Sequence, residues 1–280
     1  MPSPTCERTV VRGNKVTGRD LLVLWQHPVT RAIKVVGRLQ FDGRTYTFGY
    51  TNSAEESFDN GFRGLPGLRA RGRIYRSESL FKVFSQRTLD PARSDFTRHL
   101  EQLGLDEAST PLEQIVHSGG RRAADTIQLL EVPRALNGAI ESTFLAHGVR
   151  HIPTRPLNFE DGSRTVSGIE HERALRNIQG GDRLGHRIES GNESNPQATI
   201  LTSSDDVPLG YVPDVLVRGV RSVIDRGESI EFRALRVNGP DAPPHLRLLV
   251  RMIAHSDQRD VFDEADWNFA AGSSEDSDER

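Results

Sequence analysis

The chain is poor in cysteine, lysine and long apolar runs, and each shortage excludes something. Its one cysteine, Cys6, cannot form an internal disulfide and has no second Cys with which to build a zinc site. Among 36 basic residues the only lysines are Lys15, Lys34 and Lys82, and none follows the glycines of a G-x-x-x-x-G-K-[ST] phosphate loop, so a P-loop motor is excluded. No apolar run approaches the roughly 20 residues of a membrane-spanning helix. The start MPSPTCERTVVRGNK lacks the apolar centre of a secretion signal, so a cytoplasmic protein is expected. With 35% hydrophobic residues and a mean hydropathy of −0.51, the 280 residues suit two α+β units with polar connections better than one large enzyme core.

The net charge of −3 is unevenly spread. Basic and acidic residues number 20 and 16 over 1–143, 14 and 14 over 144–256, and 2 and 9 over 257–280, so the acidity lies in the last stretch. The rest is weakly basic and carried almost wholly by arginine, which suits either an arginine-rich genome or the bidentate capture of phosphate.

Turn chemistry divides the chain. After a disordered leader (1–18), DLLVLWQHPVTRAIKVVGRLQFDGRTYTFGY reads as three strands, with Asp42-Gly43 as a hairpin turn. A Gly- and Arg-rich connection follows, then short helices around SLFKVFSQR, from near Ser94 to Gly104, and over TPLEQIVHSGG, and a closing strand DTIQLLEVP. This gives a small α+β domain over 19–133, a linker over 134–143 and a second domain over 144–256. In the second domain TFLAHGVRHI, RLGHRIES, QATIL and PLGYV read as strands and PDVLVRGVRSVIDRG as a helix. SIEFRALRVN and HLRLLVRMIAH close it as strands, and 153–181 reads as a loop with one helical turn. Residues 257–280 have the composition of a disordered acidic tail.

Within the second domain, RIESGNESNPQATILTSSDDVPLGYVP places Asn192 and Asn195 where their side chains can bond the following backbone, and Pro196 where the chain re-enters a strand. Gly210 permits a close backbone approach and Tyr211 offers a ring and a hydroxyl. The order Glu189, Asn192, Asn195-Pro196, Ala198, then Leu209-Gly210-Tyr211-Val212-Pro213 before a helix resembles the HIRAN domain family, with GVRHI resembling that family's first strand. The resemblance covers about 144–256, with 153–181 as an insertion. It implies an OB-like β-barrel with one helix that binds nucleic acid, most of all single-stranded or end-containing DNA, in repair, replication or stress. It further implies that Arg150 contacts the DNA end, that His151 stacks on a base, and that Tyr211 forms the Gly-aromatic step. Ser194 stands where the family has a second stacking tyrosine, Asn195 where it has a carboxylate and Asp214 where it has a phosphate-binding lysine. These departures favour backbone binding over reading of a 3′ end. The first 133 residues resemble segments upstream of bacterial HIRAN domains, and SLFKVFSQR resembles the N-terminal part of HipA-type toxin kinases, without a kinase catalytic set.

Other clusters are open to two accounts. Arg69, Arg71, Arg73 and Arg76, interleaved with Ile74 and Tyr75, form either a groove along a nucleic-acid backbone or a loop of exposed charge. HSGGRRAADT either cradles a phosphate through its backbone or caps a helix with a solvated basic turn. His147 and His151, on a strand, would lie about 13 Å apart, too far to share zinc. No acid, base and nucleophile converge, so the expectation is no catalysis, no cofactor and no metal. The expected site comprises Arg150, His151, Arg187, Asn192, Asn195 and Tyr211, helped by Arg71, Arg73 and Tyr75. The acidic tail either solubilises, folds back on the basic face as a phosphate mimic, or holds a protein partner. A protein-interaction adaptor in a repair or toxin–antitoxin system is the alternative function.

Overall fold

A computed structural model describes residues 18–122, 125–192, 195–258, 260–270 and 274–275. The first unit contains β1 (Arg19–Gln26), β2 (Ile33–Phe41), β3 (Tyr46–Tyr50), α1 (Ala54–Asp59), β4 (Arg73–Ser77), α2 (Lys82–Ser85), α3 (Phe96–Leu103), α4 (Pro111–Ser118) and β5 (Ile127–Glu131). The Asp42 carboxylate accepts the N–H groups of Arg44 and Thr45 at 2.8 and 2.7 Å, and Gly43 takes φ +103°, which fixes the β2–β3 hairpin. α4 begins in a capping box between Thr110 and Glu113 with Pro111 in its first turn, and Gly104 and Gly119 end α3 and α4 in the left-handed region.

The second unit contains β6 (Arg134–Leu136), β7 (Ala139–Leu145), a 3₁₀ turn (Val149–Thr154), β8 (Leu157–Phe159), β9 (Gly162–Arg164), α5 (Gly168–Asn177), β10 (Arg183–Ile188), β11 (Thr199–Thr202) and β12 (Pro208–Tyr211). It continues through α6 (Asp214–Asp225), β13 (Ser229–Val237), a 3₁₀ turn (Pro244–Leu246), β14 (Leu248–His255), a 3₁₀ turn (Ala265–Trp267) and β15 (Ser274–Glu275). The sheets run β15-β4-β3-β2-β1-β5 and β12-β11-β10-β13-β14-β7-β6, with β8–β9 a separate hairpin. Apart from β15, which pairs parallel to β4, every pairing is antiparallel, so the class is α+β. The second sheet curls until the residues after β7 meet β12. His147 and Tyr211 exchange two N–H···O bonds of 2.8 Å. The expected OB-like barrel is thus a curled sheet fastened by one bridge, not closed by a continuous ladder. Gly210 allows that approach, since a Cβ there would lie 3.0 Å from the His147 carbonyl oxygen.

β1 explains why the two units are joined. Its residues alternate faces, and LLVLW is buried throughout. Leu21, Val23 and Trp25 enter the core of the first unit, whereas Leu22 and Leu24 enter a second core with Val35, Leu130, Phe144, Phe232 and Val250. Each such leucine kept from water contributes about 1.5–3 kcal/mol.

Four expectations are corrected. Residues 134–143 form no free linker: β6 and β7 make a hairpin through Asn137 (φ 50°) and Gly138 (φ 82°), the Asn-Gly pair favoured in tight hairpins. The Gly- and Arg-rich connection over 59–79 follows α1 and holds β4, which pairs with β3 and buries Ile74. The 153–181 insertion holds β8, β9 and α5, whose N-cap Ser167 accepts the Glu170 N–H. Part of the 257–280 tail is seated: Phe262 and Trp267 are buried, Asp263 meets Arg38 at 3.0 Å and Phe269 bridges Thr51 beside β3. Phe262 lies over Gly219 of α6, where any Cβ would come within 2.3 Å of the ring. The leader up to residue 17, and 271–273 and 276–280 of the tail, lie outside the described residues. No helix among the described residues is long and apolar enough to cross a membrane.

Candidate nucleic-acid interface

Glu189, at the end of β10, is fully buried and accepts from three side chains. Arg155 grips it with Nη1 to Oε1 at 2.5 Å and Nη2 to Oε2 at 2.9 Å; Asn192 Nδ2 donates at 2.7 Å and the Tyr211 hydroxyl at 2.8 Å. Burial would raise this carboxyl, but the bonds from Arg155, Asn192 and Tyr211 and the Arg155 charge outweigh it and hold the group below the usual carboxylate range. Burial first, then the bond to Glu189, pushes the Tyr211 phenol far above its ordinary value, so it stays a donor. Its oxygen also accepts from Arg155 Nη2 at 2.9 Å. The result is one lock: an ionised glutamate orients Arg155, whose side chain keeps 42% of its exposure.

The asparagines serve the same lock. Asn192 Oδ1 accepts the Asn195 N–H at 3.1 Å, Asn195 Oδ1 accepts the Gln197 N–H at 2.9 Å, and Asn195 Nδ2 donates to Asp214. Both are turn-holding residues, as their turn chemistry suggested. Asp214 is accordingly engaged, and Ser194 lies outside the described residues. One face of the Tyr211 ring is covered by Gly148, where a Cβ would come 2.9 Å from the ring.

Arg150 and His151 do not lie on a strand, a correction to the GVRHI reading. Gly148 at φ +63° turns the chain out of β7, and the pair sits on the 3₁₀ turn, exposed, with Arg150 Nε donating to His151 Nε2 at 3.1 Å. Burial, Arg150 and Arg155 lower the His151 pKa, favouring a neutral ring. Arg150 is also within electrostatic reach of Arg121, whose pKa is lowered by burial, then by Arg31 and Arg150. Among the described residues, Arg31, Arg121 and Arg150 have no carboxylate within ion-pair distance, whereas most arginines of the chain do. The three come from the β1–β2 loop, the turn after α4 and the 3₁₀ turn, so both units contribute.

The other expected residues are placed elsewhere or already engaged. The register Arg187–Ile200–Tyr211 sets Arg187 and Tyr211 in one row across three strands. Arg187 lies 4.1 Å over the Phe159 ring and pairs with Asp206 at 2.9 Å and with Asp161. Arg71 pairs with Glu55 at 3.0 Å and sits 4.0 Å over Phe58; Arg73 lies 5.2 Å over Tyr75, whose hydroxyl accepts the Ala70 N–H. Among the described residues no hydrogen bond, ion pair or ring contact joins these three to Arg150. In HSGGRRAADT, Gly119 caps α4, His117 bonds the Leu103 carbonyl and Asp125 holds Arg87. Sequence reasoning missed Arg31, Arg121 and Arg155; only the Arg121 turn carried a signal, its glycines.

No family model matches the chain, and no curated protein matches it. Among solved structures, a protein from Lactobacillus plantarum is similar over 41% of this chain and 94% of its own, at 15% identity and a TM-score of 0.31. The HIRAN domain of human HLTF is similar over 43% of this chain and 81% of its own, at 9% identity and a TM-score of 0.28.

Proposed function

We propose that this protein binds nucleic acid through its phosphodiester backbone, with single-stranded or end-containing DNA as the ligand, in the cytoplasm and without catalysis of its own. A role in repair, replication or stress follows from that ligand. The observation that carries the reading is the unneutralised set Arg31, Arg121 and Arg150, flanked by Arg155 on its buried glutamate. Guanidiniums crowded together without a counter-ion repel one another, and a phosphate relieves that repulsion while accepting their bidentate donors. His151 beside Arg150 adds a ring for a base, worth about 1–3 kcal/mol when stacked.

The test is fluorescence anisotropy of a short labelled strand with a free 3′-hydroxyl, beside the same strand ending in phosphate, across a salt series. Three to four phosphate contacts on a single strand predict a slope of log K against log salt of roughly −2 to −3. Equal affinity for the two ends is expected, because Asn195 and Asp214 hold each other instead of reading a terminal hydroxyl. A protein that shifts neither strand at low salt, yet retains a defined polypeptide partner, is an adaptor instead.

A further inference from the structure

A cleft of about 650 Å³ lies between the end of β1, the loop after α1, α2 and the approach to β5. That volume is within the roughly 300–1,000 Å³ of small-molecule sites. Its floor is apolar: Trp25, Phe62, Leu65 and Ile127 are all at least nine-tenths buried, with the Trp25 and Phe62 rings 5.5 Å apart. Its rim carries exposed Arg63, Lys82 and Arg122, which have no carboxylate partner among the described residues. The carboxylate lining it, Asp125, is taken by Arg87, with Nη2 at 2.6 Å and Nη1 at 3.3 Å. Arg87 is itself buried, and its Nε–H finds no acceptor among the described residues. On the loop after α1, Gly64 and Gly67 take φ +76° and +81°, and the N–H groups of Arg63, Gly64 and Gly67 donate to no protein acceptor among the described residues.

An apolar floor, three unpaired cations, idle backbone donors and a buried guanidinium N–H together suit a flat apolar ring that bears an anion. Substrates of one charge and no ring would leave the floor wet, and a neutral ring would leave the rim unpaired. We propose that this cleft binds a nucleotide unit, its heterocycle against the floor and its phosphate among Arg63, Lys82 and Arg122. The unit is either a free mononucleotide or one nucleotide of a bound strand. The first source is independent of the function proposed above, and the second rests on it.

Calorimetric titration of the full chain with dAMP, deoxyadenosine and inorganic phosphate, run beside anisotropy of a short single strand, separates the outcomes. Gln86→Trp fills the cleft from an exposed position without changing charge, and Val83→Trp repeats the test from the neighbouring turn should the first variant not fold. Binding of dAMP that exceeds that of either fragment by about tenfold, and falls tenfold in Gln86→Trp and in Lys82→Ala/Arg122→Ala but not in Arg150→Ala, supports a free nucleotide. No dAMP binding, with strand affinity falling about tenfold in Gln86→Trp, supports a nucleotide of the strand. Binding of dAMP that survives both variants overturns the proposal. So does a strand affinity untouched by Gln86→Trp when dAMP does not bind.

Discussion

Arg38 and Arg150 are the same residue type in opposite situations. Arg38, on β2, is 7% exposed and lies between two carboxylates, donating to Asp20 at 2.6–3.0 Å and to Asp263 at 3.0 and 3.1 Å. Arg150 stands in the open, within electrostatic reach of Arg121, and pairs with no acid among the described residues. The first joins distant segments of the fold; the second leaves a field unanswered. Composition counts both alike, and only pairing tells a structural arginine from one available to a ligand.

The largest effect that sharpens this comparison belongs to the paired side. Phe262→Ala, which removes the ring over Gly219 and frees the segment that brings Asp263 to Arg38, is expected to cost about 3–5 kcal/mol in urea unfolding. Arg38→Ala should follow at about 3 kcal/mol, because it strands two carboxylates; a loss below about 1 kcal/mol would show that the pairing is ornamental. On the unpaired side, Arg150→Ala and Arg121→Ala should each weaken strand binding by about 1 kcal/mol, near fivefold, and flatten the salt slope by roughly 0.7. Neither should shift the unfolding midpoint by more than about 0.5 kcal/mol. If both variants bind like the parent, the assignment of the junction fails.

Acid tests the same contrast more gently. Burial, with Arg121 nearby, pushes His147 down to about 4, against about 6.5 in an unfolded chain. The unfolded state therefore takes up the proton first, so this stability is complete above about pH 6.5 and drains away as pH falls toward 4. Unfolding midpoints should drop between about pH 7 and pH 5, and His147→Phe should flatten part of that fall; His245, also pushed to about 4, accounts for another part. Smallest of all, Arg71→Ala should leave strand affinity within measurement error, since Glu55 already answers that charge.

Local chemistry was legible in the sequence, and pairing was not. Asp42-Gly43, Gly104, the Asn192–Asn195 turn and the close approach at Gly210 were readable because each is governed by backbone preferences a few residues long. β4 escaped because the Gly- and Arg-rich stretch around it reads as a connection, and the β6–β7 hairpin because its Asn137-Gly138 turn was passed over as a linker. The 3₁₀ turn at Arg150 escaped because Val149 and Ile152 suit a strand equally well, and the left-handed Gly148 decides otherwise. The lock at Glu189 and the cluster at Arg121 join residues separated by tens of positions in the chain, which no periodicity connects. Asn192, Asn195 and Tyr211 stood in the expected site as ligand contacts; their bonds to Glu189, Asp214 and one another make them its framework.

The segment carrying Phe262, Asp263 and Trp267 is synthesised after β1 to β14, that is, after every strand of the two sheets except β15. Until then Arg38 has Asp20 alone, Gly219 faces an empty seat, and the two sheets hold each other by the leucines of β1. The final arrangement is thus latched late, and a chain caught before that moment would be the one most easily pulled open.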